Sequence, residues 1–153
     1  MRNFTRILFF TIPYLFLFFI LALSVIAPLL EYQRLEVSRN LYEILHNICH
    51  QMPTRCLWIY TSPMALCSRC FSIYLALFML GIFLIKHRTK RIYWKIAILF
   101  LVPCIIDGST EYLGLRLSNN ILRFITGALA GVGIGLIFFP LYFRFVDSVT
   151  ERG

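Results

Sequence analysis

Four blocks of the chain are almost free of charge, and the polar residues gather between them. Residues 7–30 carry no charged side chain, and about 65–85 carries Arg69 alone, near its start. A third block covers about 92–108, and a fourth 121–145 with Arg123 close to its beginning. A helix needs about 20 apolar residues to cross a hydrocarbon core, so each block predicts a transmembrane helix. The third is short unless it continues past Asp107 and Gly108. The first is too long for a cleaved signal, whose apolar part usually runs about 7–15 residues, and predicts a retained anchor. Its Pro13 and Pro28 lie near its ends, where a missing N–H costs least.

Between the first two blocks lies a long segment, 31–64. Val37, Leu41, Ile44, Leu45 and Ile48 recur in it with helical period. They predict an amphipathic helix over about 38–50, with Ser38 as N-cap, lying on the membrane surface or on the bundle. Met52, Pro53 and Thr54 end it, and Pro63 marks the approach to the second span. The pattern as a whole predicts an all-α fold: a single polytopic membrane domain over 1–153, with four transmembrane helices and a short amphipathic helix in the first outer segment. Internal repeats, low-complexity tracts and flexible linkers are absent.

Composition agrees with the pattern. Apolar residues make up 59% and charged residues 14%, against about 45–50% and about 25% in soluble chains. That excludes a water-soluble globule and a disordered chain. The net charge of +8 would suit nucleic acid, but its placement explains it otherwise. Arg2, Arg6, Lys86, Arg88, Lys90, Arg91, Lys95, Arg144 and Arg152 flank one set of span ends, against Asp147 and Glu151. The other set holds six arginines and five acids and is nearly neutral. The positive-inside rule then places both termini and the 86–91 turn in the cytoplasm, with Tyr93 and Trp94 in an aromatic belt. The expected location is the cell membrane. Segments 31–64 and 107–120 fall on the non-cytoplasmic side, and the expected partners are the bilayer and a lipid or another membrane protein. No nucleic-acid partner is expected.

The residues suited to chemistry share that outer side. His46, Cys49 and His50 stand at i, i+3 and i+4 on the expected surface helix, away from its apolar stripe. Cys67 and Cys70 form a CSRC at the mouth of the second span. Two short-spaced clusters of N and S donors, separated by enough chain to fold back, are how tetrahedral zinc sites are built. The preferred ligand set is Cys49, His50, Cys67 and Cys70, with His46 and Cys56 as substitutes. Zinc is the expected metal and iron the next. Cysteine is also a small hydrophobe of apolar helices, which is the plainer reading for Cys104 beside Pro103. A haem attachment site is excluded because Phe71, not His, follows CSRC.

Asp107 and Glu111 lie four apart at the outer end of the third span. Ionisable groups in a membrane require partners, and Arg123 is the first candidate, Arg69 the next. The carboxylates either pin helix ends as ion pairs or serve a metal site, orienting a bound His or acting as base on a bound water. On the fourth span Gly127, Gly131 and Gly135 form a GxxxGxxxG stripe beside Thr126. That spacing lets helices approach closely, within the bundle or across a homodimer.

The same sulfurs admit a redox reading. A CxxC at a helix start beside Arg69 has a stabilised thiolate. The span count and the CSRC resemble the disulfide-generating quinone reductases, which would imply thiol–disulfide exchange with a membrane quinone. That family's outer cysteine pair lies mainly between spans three and four, where this chain has none.

The run CHQMPTRC, CSRCFSIYLALFMLG and PCIIDGSTEYLGLRLSNNILRFITGALAG resembles a prokaryotic membrane family catalogued as domain of unknown function 2085. The matching positions are Cys49, His50, Gln51, Arg55, Cys67, Arg69, Cys70, Ile73, Tyr74, Pro103, Asp107, Gly108, Ser118, Asn120, Arg123, Thr126 and Gly127, spread over roughly 45–131. Glu111 departs from the pattern, in which many members carry Gln. The resemblance implies no activity, but it joins the thiols, His50, Asp107 and Arg123 in one constellation. Three functions follow for testing. The first is a metal site at the outer face, structural if four donors close it and hydrolytic if a position stays open to water. The second is thiol–disulfide exchange, and the third is metal transport. Transport is disfavoured because the spans lack interior rows of acids or histidines.

Overall fold

A computed structural model describes residues 2–87 and 91–152, so residues 88–90 of the basic turn lie outside the described residues. The elements in chain order are α1 (Arg2–Tyr32), α2 (Val37–His46), a 3₁₀ turn (Pro53–Arg55), β1 (Cys56–Ile59), β2 (Ser62–Cys67), α3 (Ser68–His87), α4 (Trp94–Tyr112) and α5 (Asn120–Arg152). The four apolar blocks thus fall in helices α1, α3, α4 and α5. Two of these, over Thr11–Tyr32 and Asn120–Thr150, are long and apolar enough on their own to cross a membrane.

The long helices stop where local chemistry stops them. α1 ends with Arg34 in the left-handed region (φ 56°). The Arg34 N–H donates to the Glu31 carbonyl and the Leu35 N–H to that of Leu30, a Schellman closure on a residue other than glycine. α4 ends the same way on Gly114 (φ 69°), with Gly114 donating to Glu111 and Leu115 to Thr110. α5 opens with the Asn119 side chain accepting from the Leu122 N–H at 2.7 Å, an N-cap bond.

α5 is the central helix, gripped on two faces. A Cβ at Gly131 would lie 2.6 Å from the Ile73 carbonyl oxygen of α3, and one at Gly135 2.7 Å from the Leu80 side chain. A Cβ at Gly127 would collide with Ser72 and the Arg69 backbone. The glycine stripe is therefore filled by α3 of the same chain. Gly133 faces the other way, where a Cβ would come within 2.8 Å of the Ala97 carbonyl of α4. α1 packs on α3, with Tyr14 against Gly81 and stacked near Phe139. Large apolar side chains, among them Phe16, Phe19, Leu99 and Ile105, face outward along the helices.

The all-α expectation is corrected over residues 56–67. There the chain forms an antiparallel hairpin with Cys56 opposite Cys67, Trp58 opposite Pro63 and Ile59 opposite Ser62. Residues 65–67, expected to begin the second span, complete β2 instead. The turn Tyr60–Thr61 lacks the usual Asn-Gly or Gly signal. Tyr60 takes a left-handed conformation (φ 54°), and its ring stacks on Tyr32 at 4.9 Å between centroids. A lone two-stranded hairpin is marginal in water. Here Met64, Ala65 and Leu66 are buried, and Ala65 and Leu66 join Ile20, Ala27, Leu45 and Cys49 in one apolar cluster.

Backbone groups of β2 that point away from β1 are closed by side chains, which protects an open edge. Tyr42 donates its hydroxyl to the Pro63 carbonyl (2.5 Å), and the Gln51 amide donates to Ala65 (3.0 Å) and Tyr42 (2.8 Å). Pro63 sits where no ladder N–H is needed.

A second correction concerns α2. The helix runs Val37–His46 rather than 38–50, and Ser38 is not its N-cap: it is buried in the first turn and donates to Glu31. The apolar stripe divides, with Leu45 buried and Val37, Ile44 and Ile48 exposed. Beyond the helix Gln51 is left-handed (φ 48°) and Met52, before Pro53, is extended, as residues preceding proline prefer, so no helix continues through 51–52.

Candidate metal centre and the arginine–carboxylate network

Because α2 stops at His46, Cys49 turns inward instead of continuing a surface face. Its N–H still donates to the Leu45 carbonyl at 3.0 Å, which places its side chain against β2 and the start of α3. The sulfurs of Cys49, Cys67 and Cys70 all lie within 4.8 Å of one another. They come from three pieces of chain: the post-α2 loop, the last residue of β2 and the first turn of α3. Cys49 is buried, Cys67 and Cys70 are half-buried, and all are free thiols. Cys49 belongs to the apolar cluster of Ile20, Ala27, Leu45, Ala65 and Leu66, and Cys67, Cys70, Phe71, Tyr74, Leu41 and Tyr42 pack against that cluster.

Backbone N–H groups point at these sulfurs, among them Cys67 N–H to Cys49 Sγ at 3.2 Å and Cys70 N–H to Cys67 Sγ at 3.5 Å. The thiols of Cys67 and Cys70, then that N–H, hold the Cys49 thiol well below the usual cysteine range against the opposing effect of burial. Cys67, donating to Cys49, is raised. Burial, reinforced by Cys67 and Cys49, pushes Cys56 up to about 12. The thiolate is the form of cysteine that binds metal, and donors aimed at the Cys49 sulfur favour it.

The donor set fits a thiophilic ion. Zinc sits about 2.3 Å from each thiolate, which puts tetrahedral sulfurs roughly 3.8 Å apart. A triangle with edges inside 4.8 Å needs only a small contraction. His50, expected as the fourth donor, lies outside this three-sulfur group and is exposed, its ring 6.0 Å from that of His46. His46 is exposed as well. Cys56 is fully buried opposite Cys67, yet it too lies outside the group. Cys104 is on α4, three residues before Asp107, away from the triangle.

The carboxylates are not with the sulfurs. Asp107 is 2% exposed and accepts from Arg69, from Arg116 at 2.8 Å and from Thr126 at 3.3 Å. Glu111 accepts from Arg123 at 2.6 Å, Arg55 at 3.1 Å and Arg69 at 3.3 Å. The expected Asp107–Arg123 pair is thus corrected: Arg123 serves Glu111, and Arg69 and Arg116 serve Asp107. Arg69 bridges both carboxylates, and Arg123 also donates to the Asn120 side-chain oxygen at 2.9 Å. With every carboxylate oxygen occupied by a guanidinium, neither acid is aimed at the sulfur triangle.

Arg116 is the partner that sequence reasoning missed, although it is the one basic residue of the 107–120 turn. Gln51, Arg55, Asn120 and Thr126 stood in the family pattern without a role, and the structure gives each a bond. Gln51 ties the post-α2 loop to β2. Asn120 donates to the Cys56 carbonyl at 3.0 Å and so joins the network to the hairpin.

Comparison with known proteins finds relatives of this chain. An uncharacterized protein of Methanocaldococcus jannaschii is 38% identical over 115 residues, covering 72% of this chain and 73% of its own length. An uncharacterized protein of Methanothermobacter thermautotrophicus is 40% identical over 92 residues, covering 59% of this chain and 83% of its own. No solved structure matches. The model of one family, described as "Predicted membrane protein (DUF2085)", matches residues 49–137, a stretch that begins at the first cysteine of the triangle and contains both carboxylates with all four of their arginines. The chain belongs to this family of membrane proteins.

Proposed function

We propose that this protein is a four-span membrane protein carrying a zinc site at its non-cytoplasmic face. α1, α3, α4 and α5 cross the bilayer, and both termini are cytoplasmic. The length of α3, 20 residues, suits a core of about 30 Å at 1.5 Å per residue. At the α3–α4 end Arg91 lies over the Tyr93 ring and Lys95 over that of Trp94, the basic and aromatic chemistry of a cytoplasmic interface. The sulfurs and the carboxylates share the opposite end.

The observation that carries the metal reading is the sulfur triangle: three thiols from three separate segments, 18 and 3 residues apart in sequence, within 4.8 Å. Cys49, Cys67 and Cys70 are its ligands. The fourth position belongs to His50, which directly follows Cys49, or to water. Closed by His50, the ion is structural and staples the post-α2 loop to the hairpin and α3. Left open, it supplies a Lewis acid and an activated water at the interface. Around it, Cys67 N–H and Cys70 N–H hold the sulfurs in place.

Elemental analysis of the detergent-purified protein, with thiols counted under denaturing conditions, tests this. About one zinc per chain with all five thiols free is expected, and Cys49→Ser or Cys70→Ser should abolish retention. A metal-free protein lacking two thiols would replace the metal reading with thiol–disulfide exchange toward a quinone, for which Cys67 and Cys70 are close enough. Zinc retained at full stoichiometry in His50→Ala would identify the fourth position as open.

A further inference from the structure

We propose that the arginine–carboxylate network is a receptor for a phosphoryl group, one carried by a lipid headgroup or free in solution. Four arginines meet two carboxylates: Arg69 and Arg123 balance the two buried acids, and the half-exposed Arg55 and Arg116 add two positive charges at the rim. Asp107 and Glu111 side chains are 2% and 7% exposed and that of Arg123 8%. The surplus charge therefore lies on the outer rim, where an anion arriving from outside would meet two guanidinium forks.

The hydrogen bonding shows where it would sit. Asp107 and Glu111 are saturated on both oxygens, so they offer nothing to a cation. The guanidinium edges are not saturated. Among the described residues Arg69, Arg55 and Arg116 each use only their Nη2 toward the carboxylates. The Arg69 Nε is buried without any acceptor. Arg55 and Arg116 are about half-exposed, at 43% and 48%, and open the network to the outside. Two carboxylates hold the inner nitrogens of several planar forks while their outer edges stay free. That is a preorganised frame for tetrahedral phosphate oxygens, which arginine binds in paired fashion.

The surroundings of Arg116 favour a phosphate at a membrane surface. Tyr112, Leu113, Leu115 and Leu117 are 67–94% exposed on the turn that carries it. An apolar collar of this kind belongs at the headgroup boundary, where it would hold Arg116 at phosphate depth. The inference uses none of the sulfur ligands and stands independently of the metal.

The test measures phosphatidic acid against phosphatidylcholine retained by the detergent-purified full chain. In parallel, the melting midpoint is read in sodium phosphate against sodium chloride at matched ionic strength. Wild type should prefer phosphatidic acid at least tenfold, or gain several degrees in phosphate. Retention without a phosphate effect assigns a lipid headgroup, and the reverse assigns free phosphate. The double variant Arg55→Gln/Arg116→Gln should lose the effect at least tenfold, because Arg69 and Arg123 still hold both carboxylates and keep the fold. Arg116→Lys, which keeps the charge and loses the fork, should bind several-fold more weakly and guards against misfolding of the double variant. No preference in wild type, or undiminished preference in these variants, would overturn the proposal.

Discussion

Asn120 and Cys56, 64 residues apart, are joined by a 3.0 Å hydrogen bond from the Asn120 amide to the Cys56 carbonyl. The same Asn120 accepts from Arg123, so one side chain connects the ion network on α4 and α5 to the strand opposite Cys67.

Asn120→Ala removes both bonds. At about 1 kcal/mol for a neutral bond and somewhat more for the charge-assisted one, the loss should be roughly 2–3 kcal/mol. Hydrogen exchange of residues 56–67 should rise well above that of the middle of α5. Unchanged exchange in the hairpin would show that Asn120 does not tie the two parts together.

Gly131 and Gly114 should respond to alanine in opposite proportion to their exposure. At Gly131 a Cβ meets the Ile73 carbonyl oxygen at 2.6 Å, so α3 and α5 must separate, at a cost of about 1–3 kcal/mol. At Gly114 the Cβ meets nothing within 4 Å, and only the positive φ opposes it, by about 1 kcal/mol. Thermal melts in detergent should rank Gly131→Ala as the more damaging. The reverse order would remove the close α3–α5 packing as a main source of stability.

Asp107→Asn should destabilise strongly, by about 3 kcal/mol, because it leaves cations at a buried position. The lower end of the usual range applies, since Arg69 keeps Glu111 and Arg116 can turn to water. Arg116→Gln, removing a half-exposed cation from a network with surplus positive charge, should cost less than 1 kcal/mol. Equal losses would mean that Arg116 is as essential to the pair as Asp107.

Under the proposed zinc site, chelation should loosen the parts that the sulfurs join and spare the rest. Protection of residues 45–67 should fall while the α3–α5 contact at Gly131 stays intact, because binding and local folding are linked. Acidification should release the ion as well, since protons compete with it for the thiolates. Uniform melting of the whole chain on chelation would instead make the site global to the fold.

The helices were legible because long apolar blocks favour helix, and α1, α3, α4 and α5 overlap the four blocks. The cysteines were legible as a set because CH and CxxC are local spacings. Hidden from the sequence were the hairpin and the end of α2. Tyr60–Thr61 is an unusual turn, stabilised by a ring 28 residues away on α1, and Gln51 becomes left-handed in a loop whose bonds reach Tyr42 and Ala65. Periodicity therefore carried α2 four residues too far and left Cys49 on the wrong face. Neither signal is local, so no window of sequence contains it.

The partition of the charges has the same origin. Sequence by itself determined that buried acids and arginines gather at one end, because ionisable groups near an apolar span must find partners there. Tertiary structure alone decided which partners: Arg116 reaches Asp107 because the Gly114 turn folds the loop back, and Arg123 meets Glu111 because the glycine stripe seats α5 against α3. It also decided that Cys49 joins Cys67 and Cys70 without His50. Spacing constrains what can meet along one helix, whereas the meeting of three separate segments depends on how their apolar faces pack.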